Sequence, residues 1–183
     1  MAVLTEEQSM LRDAAKSWVQ EKSPVTAFRK VRDSGAELGY DVAAWNEMAE
    51  MGWAGVIVPE EYGGSNFGYL SLGLVLEELG RTLTASPLHA CSVATTALLL
   101  AGSVEQKQQW LPRIADGSVI ATLAIDEVAH HAPEQIALMA AKTGSGYTLN
   151  GGKRFVLEGG TADLFVVATR TGGNPGDKRG ITL

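Results

Sequence analysis

The chain has 183 residues, 45% of them hydrophobic and 20% charged, the composition of a soluble globular protein with one large or two small domains. A formal net charge of -6 argues against non-specific nucleic-acid binding and against a polybasic membrane anchor, and 1 cysteine rules out an intrachain disulfide. The longest apolar run, around Cys91 to Ala101, is broken by Ser and Thr and falls short of the roughly 20 residues a membrane span needs.

Met1-Ala2-Val3-Leu4 runs straight into Thr5-Glu6-Glu7, which reads as neither a secretory signal nor a transit peptide, so a cytoplasmic location is expected. Thr5 opens the first predicted helix. It forms a capping box with Gln8, and Leu11, Ala14, Ala15 and Trp18 mark the apolar face. Ser23-Pro24 starts a second helix that Gly35 ends, and Asp41 caps a third carrying Val42, Trp45, Met48 and Ala49. Trp53 to Gly68 is a long connection, read either as an ordered surface loop or as a functional one. Tyr69 to Arg81 is the best helix signal, with Leu72, Val75, Leu76 and Leu79 at i, i+3, i+4 and i+7. Glu77 and Glu78, like Glu60 and Glu61, read as solvated or capping acids. Ser86-Pro87 starts a helix, stopped by Gly102, with so little polar face that it belongs in the core, and its Cys91 reads as a small buried hydrophobe.

Ser103 and Gln106 form a second capping box, and Pro112 is expected to end that helix near Leu111. Beyond the turn at Asp116-Gly117 the texture becomes β. Val119 to Ile125 suits a strand, as do Gln135 to Thr143, Tyr147 to Leu149, Lys153 to Leu157 and Leu164 to Ala168. Gly144-Ser145-Gly146 reads as a turn and Asn150-Gly151 as a type I′ hairpin. Gly180-Ile181-Thr182-Leu183 looks like the opening of a further strand, so a truncated chain is expected. The fold class expected is α+β, an all-α bundle over 1–117 followed by an incomplete antiparallel β-barrel or sandwich over 118–183.

Several motifs in order resemble the acyl-CoA dehydrogenase family: Val58-Pro59-Glu60-Glu61-Tyr62-Gly63-Gly64, Glu77-Glu78-Leu79-Gly80-Arg81, Gln106-Lys107-Gln108 with Trp110-Leu111-Pro112, and Leu149-Asn150-Gly151-Gly152-Lys153. The resemblance implies a helical domain, a β domain and a carboxy-terminal bundle. It implies α,β-desaturation of an acyl-CoA thioester with hydride transfer to FAD, since no side chain accepts a hydride. The family's catalytic glutamate lies in the bundle, so no catalytic residue is assigned here. Electron-transfer flavoprotein as electron acceptor and a homo- or hetero-oligomer are expected partners, with no nucleic acid and no membrane.

The family's flavin-facing segments usually read Leu-Thr-Glu-Pro and Trp-Ile-Thr or Trp-Ile-Ser. Here they read Ile125-Asp126-Glu127-Val128 and Phe155-Val156-Leu157, so both hydroxyls are gone. An ionised Asp126 only accepts, and it donates only if burial keeps it protonated. Phe155 can still lie against an isoalloxazine ring, and backbone groups at Leu123 and Ile125 can still contact it. The expected cofactor residues are therefore Leu123, Ile125, Asp126, Phe155 and Leu157. Ala90, Ala94 and Ala97 would leave room for an acyl chain, although helix packing explains them equally well. Asp126, Glu127, His130 and His131 lack common zinc spacing, so no metal is expected. The lost hydroxyls also motivate a second reading, an FAD-poor structural partner in a heteromeric dehydrogenase.

Overall fold

The computed structural model describes residues 3–183; Met1 and Ala2, the start of the segment read as lacking a leader, lie outside them. Six helices come first: α1 (Glu6–Lys22), α2 (Val25–Ser34), α3 (Val42–Glu50), α4 (Gly68–Arg81), α5 (Leu88–Ala101) and α6 (Val104–Ala115). Short strands follow: β1 (Ala121–Ala124), β2 (Met139–Thr143), β3 (Gly146–Asn150), β4 (Leu164–Val167), β5 (Thr169–Arg170) and β6 (Ile181–Thr182). The main core joins Ala15, Trp18 and Val19 of α1 to Leu72, Val75 and Leu79 of α4, Ala94 and Leu98 of α5, and Leu111 and Ile114 of α6. α5 lies across β1, which gives the helical half its wall against the β half.

The architecture is the expected α+β one, a helical domain and a partial β domain, without a closed barrel among the described residues. Its pairing is mixed: β1 with β4 and β2 with β5 run parallel, while β2 with β3 and β5 with β6 run antiparallel. Pro112 does not stop α6, which continues to Ala115. Leu111 and Ile114 are fully buried, and that burial outweighs the hydrogen bond the proline forfeits. Ser103 and Gln106 form the capping box reciprocally, at 3.3 and 2.8 Å. Ser103→Ala is therefore expected to cost about 1 kcal/mol in urea unfolding, and an unchanged midpoint would show the cap to be redundant.

The first half of the 53–68 connection is core, while Glu60, Glu61, Gly63, Ser65 and Asn66 lie at the surface. Trp53, Val56, Ile57 and Val58 are buried in the core. Their backbone is satisfied within the loop, Phe67 N donating to Val56 O at 2.7 Å and Asn66 N to Val58 O at 2.9 Å. Gly64 makes this possible, because a Cβ there would stand 2.1 Å from Val58 O.

One helix cap and four β features also differ from expectation. Ser23 leaves α2 uncapped and bonds Thr84 Oγ1 at 2.9 Å instead, whereas α5 starts after Ser86-Pro87 as expected, Ser86 Oγ accepting from Leu88 N at 3.4 Å. β1 is shorter than Val119 to Ile125. β2 begins only at Met139, because the amides of Ala137 and Leu138 donate to the Glu127 carboxylate rather than to a strand. Asn150-Gly151 is no hairpin turn. Asn150 sits in the ladder opposite Met139, and the hairpin closes at Gly144-Ser145. Residues 153–157 form no strand, since Phe155 adopts a left-handed φ of 53°.

Candidate functional site at the helix–sheet seam

The seam is held by polar contacts at both ends of β1. At its start, Asp163 Oδ2 accepts from Ile120 N at 2.9 Å, and Cys91 Sγ of α5 accepts from Ala121 N at 3.4 Å. Burial pushes the Cys91 thiol up to about 11, so it is a packed acceptor and not a nucleophile. Along β1, Thr122 Oγ1 donates to Leu157 O at 2.6 Å. At its end, Arg154 N donates to Asp126 O at 2.7 Å, and Lys153 Nζ donates to Ile125 O at 2.9 Å and to Glu127 Oε1 at 2.7 Å. The 153–157 segment is thereby fastened alongside β1.

This brings together the residues expected at a flavin: Leu123, Ile125 and Asp126 run beside Phe155 and Leu157. Phe155 is held in the left-handed region and is 74% exposed, and Leu157 is exposed beside it. A bulky aromatic residue in that conformation costs of order 1–3 kcal/mol, and such strain concentrates at functional sites. The result is an apolar ledge with a displayed aromatic ring on a braced strand.

Asp126 does not donate. Its carboxylate accepts from His131 Nδ1, at 3.1 Å to each oxygen, and from Ala132 N at 3.2 Å. The His131 contact holds Asp126 below the usual carboxylate range, so it is ionised and ties down the turn that follows β1. Glu127 turns away from the Asp126–His131 pair to Lys153. The Ile125 carbonyl already accepts from Lys153 Nζ, which leaves it one lone pair.

The three alanines separate. Ala90 and Ala94 are buried, Ala94 within the main core. Ala97 instead lines a cavity of about 140 Å³ between α5, α6 and β4, with Leu98, Ala101, Trp110 and Val166. Glu78 is not solvated as expected: it is 5% exposed and pairs with Arg81 Nε at 3.2 Å. Sequence reasoning missed Thr122, Lys153, Glu127 and Asp163 as the fasteners of the seam. Only Thr122 carries a local signal, as the one polar residue of the apolar run Val119 to Ile125, and its partner is remote in sequence. Among the described residues no helix is long and apolar enough to cross a membrane.

Comparison with known proteins places the chain in a family. Residues 5–118 match the family model "Acyl-CoA dehydrogenase, N-terminal domain". Acyl-CoA dehydrogenase FadE12 of Mycobacterium tuberculosis is 34% identical over 172 residues, 91% of this chain and 43% of that protein. The structure of an acyl-CoA dehydrogenase from Geobacillus kaustophilus superposes with a TM-score of 0.78 at 30% identity, over 98% of this chain and 47% of that one. The ChsE4-ChsE5 complex from Mycobacterium tuberculosis is similar at a TM-score of 0.80 and 30% identity, over 93% of this chain and 46% of that one. The chain thus spans less than half the length of these relatives.

Proposed function

The chain belongs to the acyl-CoA dehydrogenase family, and from that premise we propose that it supplies one wall of a site for FAD-dependent α,β-desaturation of an acyl-CoA thioester. The observation that carries this reading is the ledge itself: a strained, displayed Phe155 and an exposed Leu157 clamped beside Leu123, Ile125 and Asp126. The residues present suit the flat apolar face of a flavin, since they are aromatic and aliphatic and sit on a braced strand. They offer no side-chain hydroxyl at Asp126 or Leu157, so hydrogen bonds to the ring edge must come from backbone amides of β1.

FAD bound there supplies the hydride acceptor that no side chain provides. This chain's own part is orientation and exclusion of water. Phe155 would lie against the ring, Leu123, Ile125 and Leu157 would exclude water from it, and α5 would close the helical side. We assign the base that removes the α proton to no residue of this chain. The electrons pass on to an electron-transfer flavoprotein, and the assembly is an oligomer.

The test is the colour of the purified protein. A yellow preparation whose flavin absorbance bleaches on adding an acyl-CoA supports the reading. Phe155→Ala is then expected to weaken FAD binding by about tenfold, the worth of one aromatic contact. A colourless protein that takes up FAD only when a second polypeptide is added would overturn it in favour of a structural partner subunit.

A further inference from the structure

We propose that the cavity beneath α2, remote from the seam, is a binding site for a small amphipathic carboxylate such as a medium-chain fatty acid. Of the six helices, α2 is the one with no fully buried residue. Its apolar residues Phe28 and Val31 are only half-buried and face Tyr40, Ala44 and Ala85 across a space of about 390 Å³. The helix is anchored just before its start and ended by a glycine. The Ser23 hydroxyl bonds Thr84 Oγ1 at 2.9 Å. Gly35 turns the chain at a left-handed φ of 66°. Phe28 and Val31 are left partly facing water across this space, an arrangement that an alkyl chain would relieve.

The polar groups around the space select the other end of the ligand. The hydroxyls of Ser23 and Thr84 lie on its wall, and Lys22 and Lys30 stand at its rim. Lys22 reaches only the exposed Glu21, at 3.6 Å, and among the described residues Lys30 makes no ion pair. Asp41 is the one acid lining the space, and its Oδ1 already accepts from the amides of Ala43 and Ala44 as the cap of α3. Two ammonium groups against one committed carboxylate favour an anionic headgroup. The volume lies within the range of about 300–1,000 Å³ typical of small-molecule sites.

The probe is octanoate, titrated into the 15N-labelled protein and followed by amide shifts. Amides of Ala27, Val31, Ala44 and Thr84 should move together and saturate with one equivalent bound. Lys30→Gln, an exposed change that leaves the fold intact, should weaken octanoate by roughly two- to fivefold, as expected for one surface charge. The neutral octanamide should bind more weakly and not respond to that substitution. Ala44→Leu, which narrows the space, should abolish saturation while the melting temperature stays at or above that of the parent. Shifts centred on α5 and β1, shifts that never saturate, or equal binding by the parent and Ala44→Leu would each overturn the assignment.

Discussion

Arg170→Met is expected to remove about 3–5 kcal/mol of stability, the size of effect seen when a buried charge network loses its centre. Arg170 is fully buried on β5, and among the described residues it forms no ion pair. Its guanidinium instead donates to five backbone carbonyls. Nε reaches Ile136 O at 2.8 Å, Nη1 reaches Arg179 O at 2.9 Å and Gly172 O at 3.3 Å, and Nη2 reaches Glu134 O and Asp177 O, each at 3.0 Å. All five donors of the side chain are therefore used, and they knit the 134–138 approach to β2 onto the 172–180 loop. Methionine fills similar space and leaves five carbonyls facing an apolar group, each a desolvated acceptor. A total stability of roughly 5–15 kcal/mol makes that loss a large fraction of the whole. Urea unfolding measures it, and hydrogen exchange should show the protection lost around residues 134–138 and 169–182 first. Arg170→Lys should recover only part, since three donors on a flexible stem cannot reach both loops. A loss below about 1 kcal/mol for the methionine variant would show that the loops are held by other means.

The helical half was legible because its signals are local. The capping boxes at Thr5 and Ser103, the stripe along α4 and the apolar α5 each lie within one element, and each is where the sequence pattern puts it. Pro112 misled because the local cost of a proline is set against burial of Leu111 and Ile114, which only the folded core reveals. The β half was legible in kind but not in detail. Glu127 takes the amides that would have extended β2, and Leu138 packs against Gly151, so a strand and a hairpin read from residue types become an irregular approach and a close contact. The ledge was legible as a pair of segments, since Phe155 and the Leu123–Asp126 run were expected side by side. What fastens them was not, because Thr122, Lys153, Arg154 and Asp163 act on partners 26 to 43 residues away. Asp126 was open between two protonation states, and only its contact with His131 decides for the ionised acceptor.

Lys153→Met is expected to destabilise the protein by roughly 3 kcal/mol at neutral pH and to disorder the ledge with it. Lys153 and Glu127 form the most enclosed ion pair of the described structure, with side chains 7% and 12% exposed. The ammonium also donates to Ile125 O, and the carboxylate also accepts from the amides of Ala137 and Leu138. One pair thus joins the end of β1, the ledge segment and the start of β2. Burial alone would push Glu127 up. The Lys153 contact and the two amides outweigh it and hold the carboxyl below its ordinary value of 4.5. A carboxyl lowered by folding contributes stability that is fully present above the ordinary value and is lost as pH falls through the lowered one. In Lys153→Met the carboxylate keeps its burial and loses its cation, so its value rises and that acid dependence shrinks. The gap between parent and variant should therefore be widest near pH 7 and narrow on the way to pH 4. Combined with Glu127→Gln the loss should fall short of the sum of the two single changes, because neither partner is left charged and buried alone. A gap that stays constant with pH, together with additive costs, would mean that the pair is a surface contact after all. In that case the strained ring of Phe155 would need another anchor, and the Thr122–Leu157 bond would be the next to remove.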